Sequence, residues 1–286
     1  MAGFAGVGPY VAAFDAGKVK LSTWRKSPTQ ATVSGIWFDL SMMPGNPLPN
    51  YYASAPLVAA TLNGGEGIFH GGAVSPATKR LKTLMALTVT STALPLELIL
   101  CDYLLYYPFL DMGSNDDQPL TNTVTLPRYE TGAGVQAMAV MTNPQGSSGT
   151  TFSFTYTNQD GTPGRTSQTQ TCGPATVFGS LINTAPATAG ASQHFIGLQG
   201  TDTGIRSIET FRMVSGTDVG LIALVLVKPI ASMMIRGIDA PTEVDFLNMA
   251  PSLPEIKDGA YLNFISRPMG SMAATAIHGT AEFIWS

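Results

Sequence analysis

The sequence predicts an all-β fold, a β-sandwich of jelly-roll-like type carrying an extended N-terminal arm. Three observations lead there. Short apolar runs are cut repeatedly by Gly, Pro, Asn and Asp, with 30 glycines and 20 prolines among 286 residues. Several runs alternate with a period of two, and none sustains a helical period beyond about twelve residues. Hydrophobic residues make up 44% of the chain and charged residues only 12%, about half the usual share, so a sizeable core can form and disorder is excluded as the main state.

Residues 1–35 read as the arm, because Gly3, Gly6, Gly8 and Pro9 argue against an early helix and residues 10–24 show no clean period. Residues 36–286 are expected to form a single sandwich body with long loops. Val33–Leu40 predicts a strand closed by Pro44, Pro47 and Pro49. Lys79–Thr92 suits helix and strand equally. Leu94–Tyr107 is apolar and aromatic, with Pro95 at its entry, and Val135–Met141 predicts a compact strand. Thr150–Thr157 is the clearest element, since Phe152, Phe154 and Tyr156 share one face while Thr and Ser take the other. Asp160-Gly161 then supplies a hairpin turn, and Ser167–Thr171 predicts a polar return strand. Phe195–Leu198, Ile205–Met213 and Val219–Val227 follow. The last has no polar alternation and predicts a strand buried on both faces. Val244–Asn248, Tyr261–Ser266 and Ala276–Trp285 complete the series.

Several function classes drop out. A net charge of −4 and a pI of about 5.3 argue against nucleic acid as a partner, because phosphate binding needs a basic field. The charge is uneven: Lys18, Lys20, Arg25 and Lys26 oppose Asp15 in the first 26 residues. The N-terminus lacks a signal-peptide pattern, and the longest apolar run falls far short of the ~20 residues of a membrane helix, so a soluble chain made without export is expected. Cys101 and Cys172 read as buried free thiols.

The inventory for chemistry is thin. His70, His194 and His278 have no metal-ligand spacing. The Gly-rich stretch 63–72 lacks the ending of a phosphate-binding loop and reads as a flexible or tightly packed loop. Asp111–Asp117 concentrates carboxylates without calcium-loop spacing and reads as a solvated turn. Glu97 and Asp102 lie in an apolar stretch and are expected to be partly buried, but one buried acid makes no catalytic pair. No catalytic residue, cofactor or metal is therefore expected, and the chain does not read as an enzyme. Aromatic residues crowd the first 110 positions, more than one core readily absorbs, and a surface with few charges is expected to be covered by neighbours.

The run Phe152–Thr166, the later Phe195–Gln199 with Asp202–Ser207, and Ala223–Pro229 resemble structural proteins of tailed-bacteriophage virions; the likeness spans roughly residues 90–230. That resemblance implies a virion location, assembly in the bacterial host cytoplasm, and no catalytic residue set. The function expected is a capsid decoration (cement) or minor head protein, the alternative being a tail or head–tail connector component. Its partners would be the major capsid protein and further copies of itself, in a symmetric homo-oligomer such as a trimer. Phe4, Tyr10, Phe14, Lys18, Lys20, Trp24, Arg25 and Lys26 are the expected partner contacts.

Overall fold

The computed structural model describes residues 4, 6–146, 149–173, 177–184, 193–249 and 253–286. A first helix, α1 (Val7–Asp15), precedes β1 (Val19–Lys26), β2 (Phe38–Asp39), β3 (Gly45–Asn46) and β4 (Ala60–Thr61). Two long strands, β5 (Lys79–Thr88) and β6 (Leu96–Asp111), are followed by β7 (Gln118–Pro119), β8 (Gln136–Asn143) and β9 (Thr151–Asn158). Next come β10 (Arg165–Thr166), β11 (Gln170–Thr171), β12 (Ile205–Ser215) and β13 (Leu221–Ile235). β14 (Thr242–Asp245), the one-turn α2 (Phe246–Met249), β15 (Tyr261–Pro268) and β16 (Ile277–Trp285) close the chain.

The strands form three antiparallel sheets. The first runs β14-β5-β16-β1-β3 and the second β2-β15-β6-β13-β8, with β4 also on β6. The third runs β10-β9-β12-β7, with β11 also on β9. The all-β sandwich is thus what the chain forms, with three sheets where a jelly roll has two.

The second sheet is the shared layer. On β13, Ala223, Val225 and Val227 enter one apolar cluster with Trp24, Leu84 and Phe283 of the first sheet. Ile222, Leu224 and Leu226 enter the other, with Phe154, Tyr156 and Phe211 of the third. A side-chain period of two, applied to a run with no polar member, puts apolar groups on both faces, as expected for this strand. β6 bends against β13: between the pairs Leu110–Ile222 and Tyr107–Leu224, Pro108 and Phe109 oppose a single residue. This bulge accommodates a residue without an N–H and leaves Phe109 at φ 59, a value rare outside glycine.

Three expectations need correction. The Gly- and Pro-rich start does form a helix, because Pro9 falls in the first turn of α1, where its missing N–H would have had no partner in the helix. Gly3 lies outside the described residues. The arm expected over residues 1–35 is largely part of the body: β1 is hydrogen-bonded between β16 and β3. Residues 27–35 are tied down too, by Ser27 N–H to the Pro44 carbonyl and Gly35 N–H to the Pro268 carbonyl. Finally, the Val33–Leu40 strand shrinks to Phe38–Asp39, since Gly35 at φ 79 turns the chain just before it.

Elsewhere the structure resolves or trims the reading. Lys79–Thr88 is strand, Phe195–Leu198 is not, and the polar return strand is reduced to β11, with β10 just ahead of it, both on β9. Val244–Asn248 becomes the end of β14 and the start of α2. Both cysteines are buried and free.

Candidate interaction surface

Helix α1 rests on the first sheet through Ala13, its one buried residue. The chain leaves it through Gly17 at φ 68, with Lys18 N–H bonded back to the Ala13 carbonyl at 2.9 Å. That seating turns Val7, Val11 and Phe14, spaced i, i+4, i+7 and so on one helix face, toward solvent. They are 76%, 47% and 42% exposed. The Phe4 ring meets Tyr10 edge-on at 5.6 Å, and Tyr10 lies 6.4 Å from Phe14. The Lys82 ammonium, ion-paired with Glu282, sits 5.0 Å above the Phe14 ring. On the other face of β1, the one that carries Ser22 and Trp24, Lys20 stands 5.1 Å over the exposed ring of Phe69.

Six of the eight expected contact residues therefore remain accessible: Phe14, Lys18 and Arg25 are exposed, while Phe4, Tyr10 and Lys20 are half-buried. Trp24 and Lys26 are not. β1 alternates, sending Ser22, Trp24 and Lys26 inward. The Trp24 ring lies 4.4 Å from Phe264, and Lys26 Nζ donates to the carbonyls of Met43 (3.2 Å) and Pro47 (2.7 Å). Burial pulls the Lys26 pKa down to about 8 against the opposing field of Asp39. Both residues hold the fold together and are not available to a partner. A period-two reading of 19–26 would have revealed this, but the neighbouring glycines concealed it.

Three polar clusters, whose partners the sequence did not reveal, organise the interior. The fully buried Asp39 carboxylate accepts from the Ser41 amide and hydroxyl, each at 2.8 Å, and from the Tyr52 and Tyr103 hydroxyls. Burial raises its pKa, and these four bonds oppose the rise. Asp102, expected to be partly buried, is completely so, and meets Arg128 in a two-pronged ion pair at 2.7 and 2.8 Å. The same guanidinium donates to the Leu62 and Tyr103 carbonyls, and Tyr261 N–H donates to Asp102. Burial raises the Asp102 pKa, with Arg128 opposing. A third cluster joins Lys79 Nζ to His70 Nδ1 (3.0 Å), the Gly72 carbonyl (2.8 Å) and Asp258 (3.2 Å).

The Asp111–Asp117 run closes on itself. Asp111 accepts from Gly113 N–H, Ser114 accepts from Asp116 N–H, and Asp117 pairs at the surface with Arg212. Among the described residues no group of three or more His, Cys, Asp or Glu is placed to hold a metal ion. No helix among them is long and apolar enough to cross a membrane.

Two of the runs that carry the virion resemblance interlock. Asp202 receives Arg165 Nε (2.8 Å), the Tyr156 hydroxyl (2.7 Å) and Asn158 Nδ2 (2.8 Å). Gln159 accepts from the Thr203 and Gly204 amides, while Glu209 takes the Thr157 hydroxyl and Gly164 N–H. The Arg165 hydrogen bond, with those of Tyr156 and Asn158, holds the Asp202 carboxyl below its usual range. The turn after β9 is thus a braced loop pair at one end of the third sheet.

No family model and no curated protein matches the chain. Among solved structures, a mutant VP2 protein of infectious bursal disease virus, in derived T=1 particles, aligns over 93% of this chain and 77% of its own. The identity is 10% and the TM-score 0.15, which leaves both fold and role to be read from this chain itself.

Proposed function

We propose that the protein is a structural virion subunit that binds and stabilises a phage capsid shell, as a decoration (cement) or minor head protein. The observation that carries this reading is the outward face of α1. Val7, Val11 and Phe14 stay in water on a chain with few surface charges, beside Lys18. A partner that covers this face gains apolar burial, and Lys18 suits an acidic site on it. The sequence resemblance over residues 90–230 supports the same class. The action is mechanical and involves no bond-making step: α1 docks on the major capsid protein, a homo-oligomeric body spans neighbouring subunits, and the added contacts oppose shell expansion. Assembly takes place in the bacterial cytoplasm, and the mature location is the virion.

Two experiments test this. Quantitative mass spectrometry of purified particles gives the copy number relative to coat protein. On the order of hundreds of copies supports a shell-wide role, roughly three to twelve moves the protein to the tail or head–tail connector, and absence overturns the virion reading. Binding of the Val7→Asp/Val11→Asp double variant to particles lacking the protein tests the surface. Both positions are exposed, so the variant should keep its melting temperature and lose binding. Unchanged binding refutes α1 as the docking element.

A further inference from the structure

Strand β1 is paired along its whole length on one side only. Val19 to Lys26 lie opposite Ile284 to Ile277 of β16, whereas β3 reaches only Arg25 and Lys26. In an antiparallel ladder successive residues send their backbone groups to opposite sides. Trp285 N–H bonds to the Lys18 carbonyl, so the even-numbered residues of β1 face β16. Val19, Leu21 and Thr23 therefore face away from it. The Thr23 carbonyl accepts from Asn46 Nδ2 at 3.3 Å, and among the described residues the other N–H and C=O groups of these three have no partner. Leu21 and Thr23 are exposed, and α1 rests on the β16 side of the strand, away from this edge.

An open strand edge is a template for a strand from another chain, and the side chains beside it decide which strand is accepted. Here the selection is by charge. Lys18, Lys20 and Arg25 border the open stretch, and none of them makes an ion pair among the described residues. β1 carries no acid, and Glu282, opposite Leu21 on β16, is already held by Lys82. The two faces of the edge also differ. Leu21, 60% exposed, stands on the outer face, while the Lys20 ammonium lies over the Phe69 ring on the inner one.

A second copy of β1 is a poor match, because edge-to-edge pairing would bring two sets of unpaired cations together. A small anion would neutralise the cations but leave the ladder groups of Leu21 unused. A strand with carboxylates at alternate positions answers both needs. Its backbone continues the ladder, its acids share the face of Lys20, and its apolar residues cover Leu21. We infer that the open edge of β1, residues 19–23, accepts an acidic extended segment of a partner protein. The segment adds to the five-stranded first sheet in line with β3, with Asn46 closing the far end of the stretch. Five residues are an ordinary strand length. This inference does not depend on the virion reading.

The test is fluorescence anisotropy and amide hydrogen exchange on the full chain. The probe is the peptide TVEVEVT, labelled at its N-terminus and amidated at its C-terminus, with TVKVKVT as the charge-reversed control. The acidic peptide should bind saturably below ~1 mM, weaken severalfold between ~50 and ~300 mM salt, and slow exchange at the Leu21 and Thr23 amides. Lys20→Glu should weaken binding about tenfold. Leu21→Pro keeps every charge and removes an N–H that the folded chain leaves unpaired, so the melting temperature should hold while binding falls about tenfold. The inference is overturned if the acidic peptide does not bind, if either folded variant binds it as tightly as the parent, or if TVKVKVT binds equally well. It is also overturned if the free chain dimerises in sedimentation with the same amides protected, which would place a second copy on this edge.

Discussion

His70 is 3% exposed, and both of its ring nitrogens are engaged: Nδ1 faces the Lys79 ammonium at 3.0 Å and Nε2 the Ala260 carbonyl at 3.1 Å. The neutral ring protonated on Nε2 satisfies both bonds, since it accepts from lysine and donates to the carbonyl. Adding a proton at Nδ1 would set N–H against the ammonium. Burial first, then the charges of Lys79 and Arg128, pull the pKa from 6.5 to about 4, with Asp258 and the Ala260 bond opposing. The unfolded chain therefore binds more protons than the folded one between these values. The stabilising contribution is whole above pH 6.5 and drains away as pH falls toward 4. At about 1.4 kcal/mol for each pH unit, the loss is about 3 kcal/mol. Replacing the ring with the non-titrating amide of His70→Gln removes this slope. Asp39 and Asp102, whose pKa values are raised, contribute the opposite slope in both proteins and cancel in the difference. Urea unfolding from pH 7.5 to 4 should show the parent losing about 3 kcal/mol more than the variant. Parallel pH profiles, or an NMR titration that places His70 at 6 or higher, would refute this account.

Other consequences are as direct. Arg128→Ala strands the buried Asp102 carboxylate and should cost about 3–5 kcal/mol in chemical denaturation. Leu224→Ala empties a fully buried site between the second and third sheets, for about 2–5 kcal/mol on the same assay. Arg165→Ala should leave the fold intact yet speed hydrogen exchange at the Gly164, Thr203 and Gly204 amides, because the brace on Asp202 is gone. Deleting residues 1–17 should leave a folded body in circular dichroism. Deleting 1–26 also removes β1 with Trp24 and Lys26 and should abolish cooperative unfolding.

What could be read in advance was whatever depends on local pattern. Thr151–Asn158 alternates strictly between half-exposed and buried, as its Phe and Tyr spacing predicts. The unbroken apolar run of β13 correctly announced burial on both faces. The apolar stretch read at Leu94–Tyr107 begins within two residues of the start of β6, just after Pro95, and falls four residues short of its end. What escaped depends on partners distant in sequence. Arg128 is an ordinary surface residue until a strand 26 residues away brings Asp102 beneath it. Lys26 looks like a contact residue until the carbonyls of Met43 and Pro47 fold around its ammonium. The outward face of α1 was hidden by glycines taken as helix breakers. The open edge of β1 depends on how short its neighbour β3 is, which no local motif announces.

The pairing of β1 with β16, from Val19 opposite Ile284 to Lys26 opposite Ile277, joins the two ends of the chain in the middle of one sheet. During synthesis β1 is made long before β16, its neighbour in the sheet, which lies more than 250 residues later in the sequence. Until then Trp24 has no finished sheet to enter. The first sheet can close only once β16 has been made, which makes folding a slow step governed by long-range closure. A chain in which β16 has not yet joined the sheet lacks the seat on which α1 rests, so the exposed face of α1 takes its place only after the two distant strands have met.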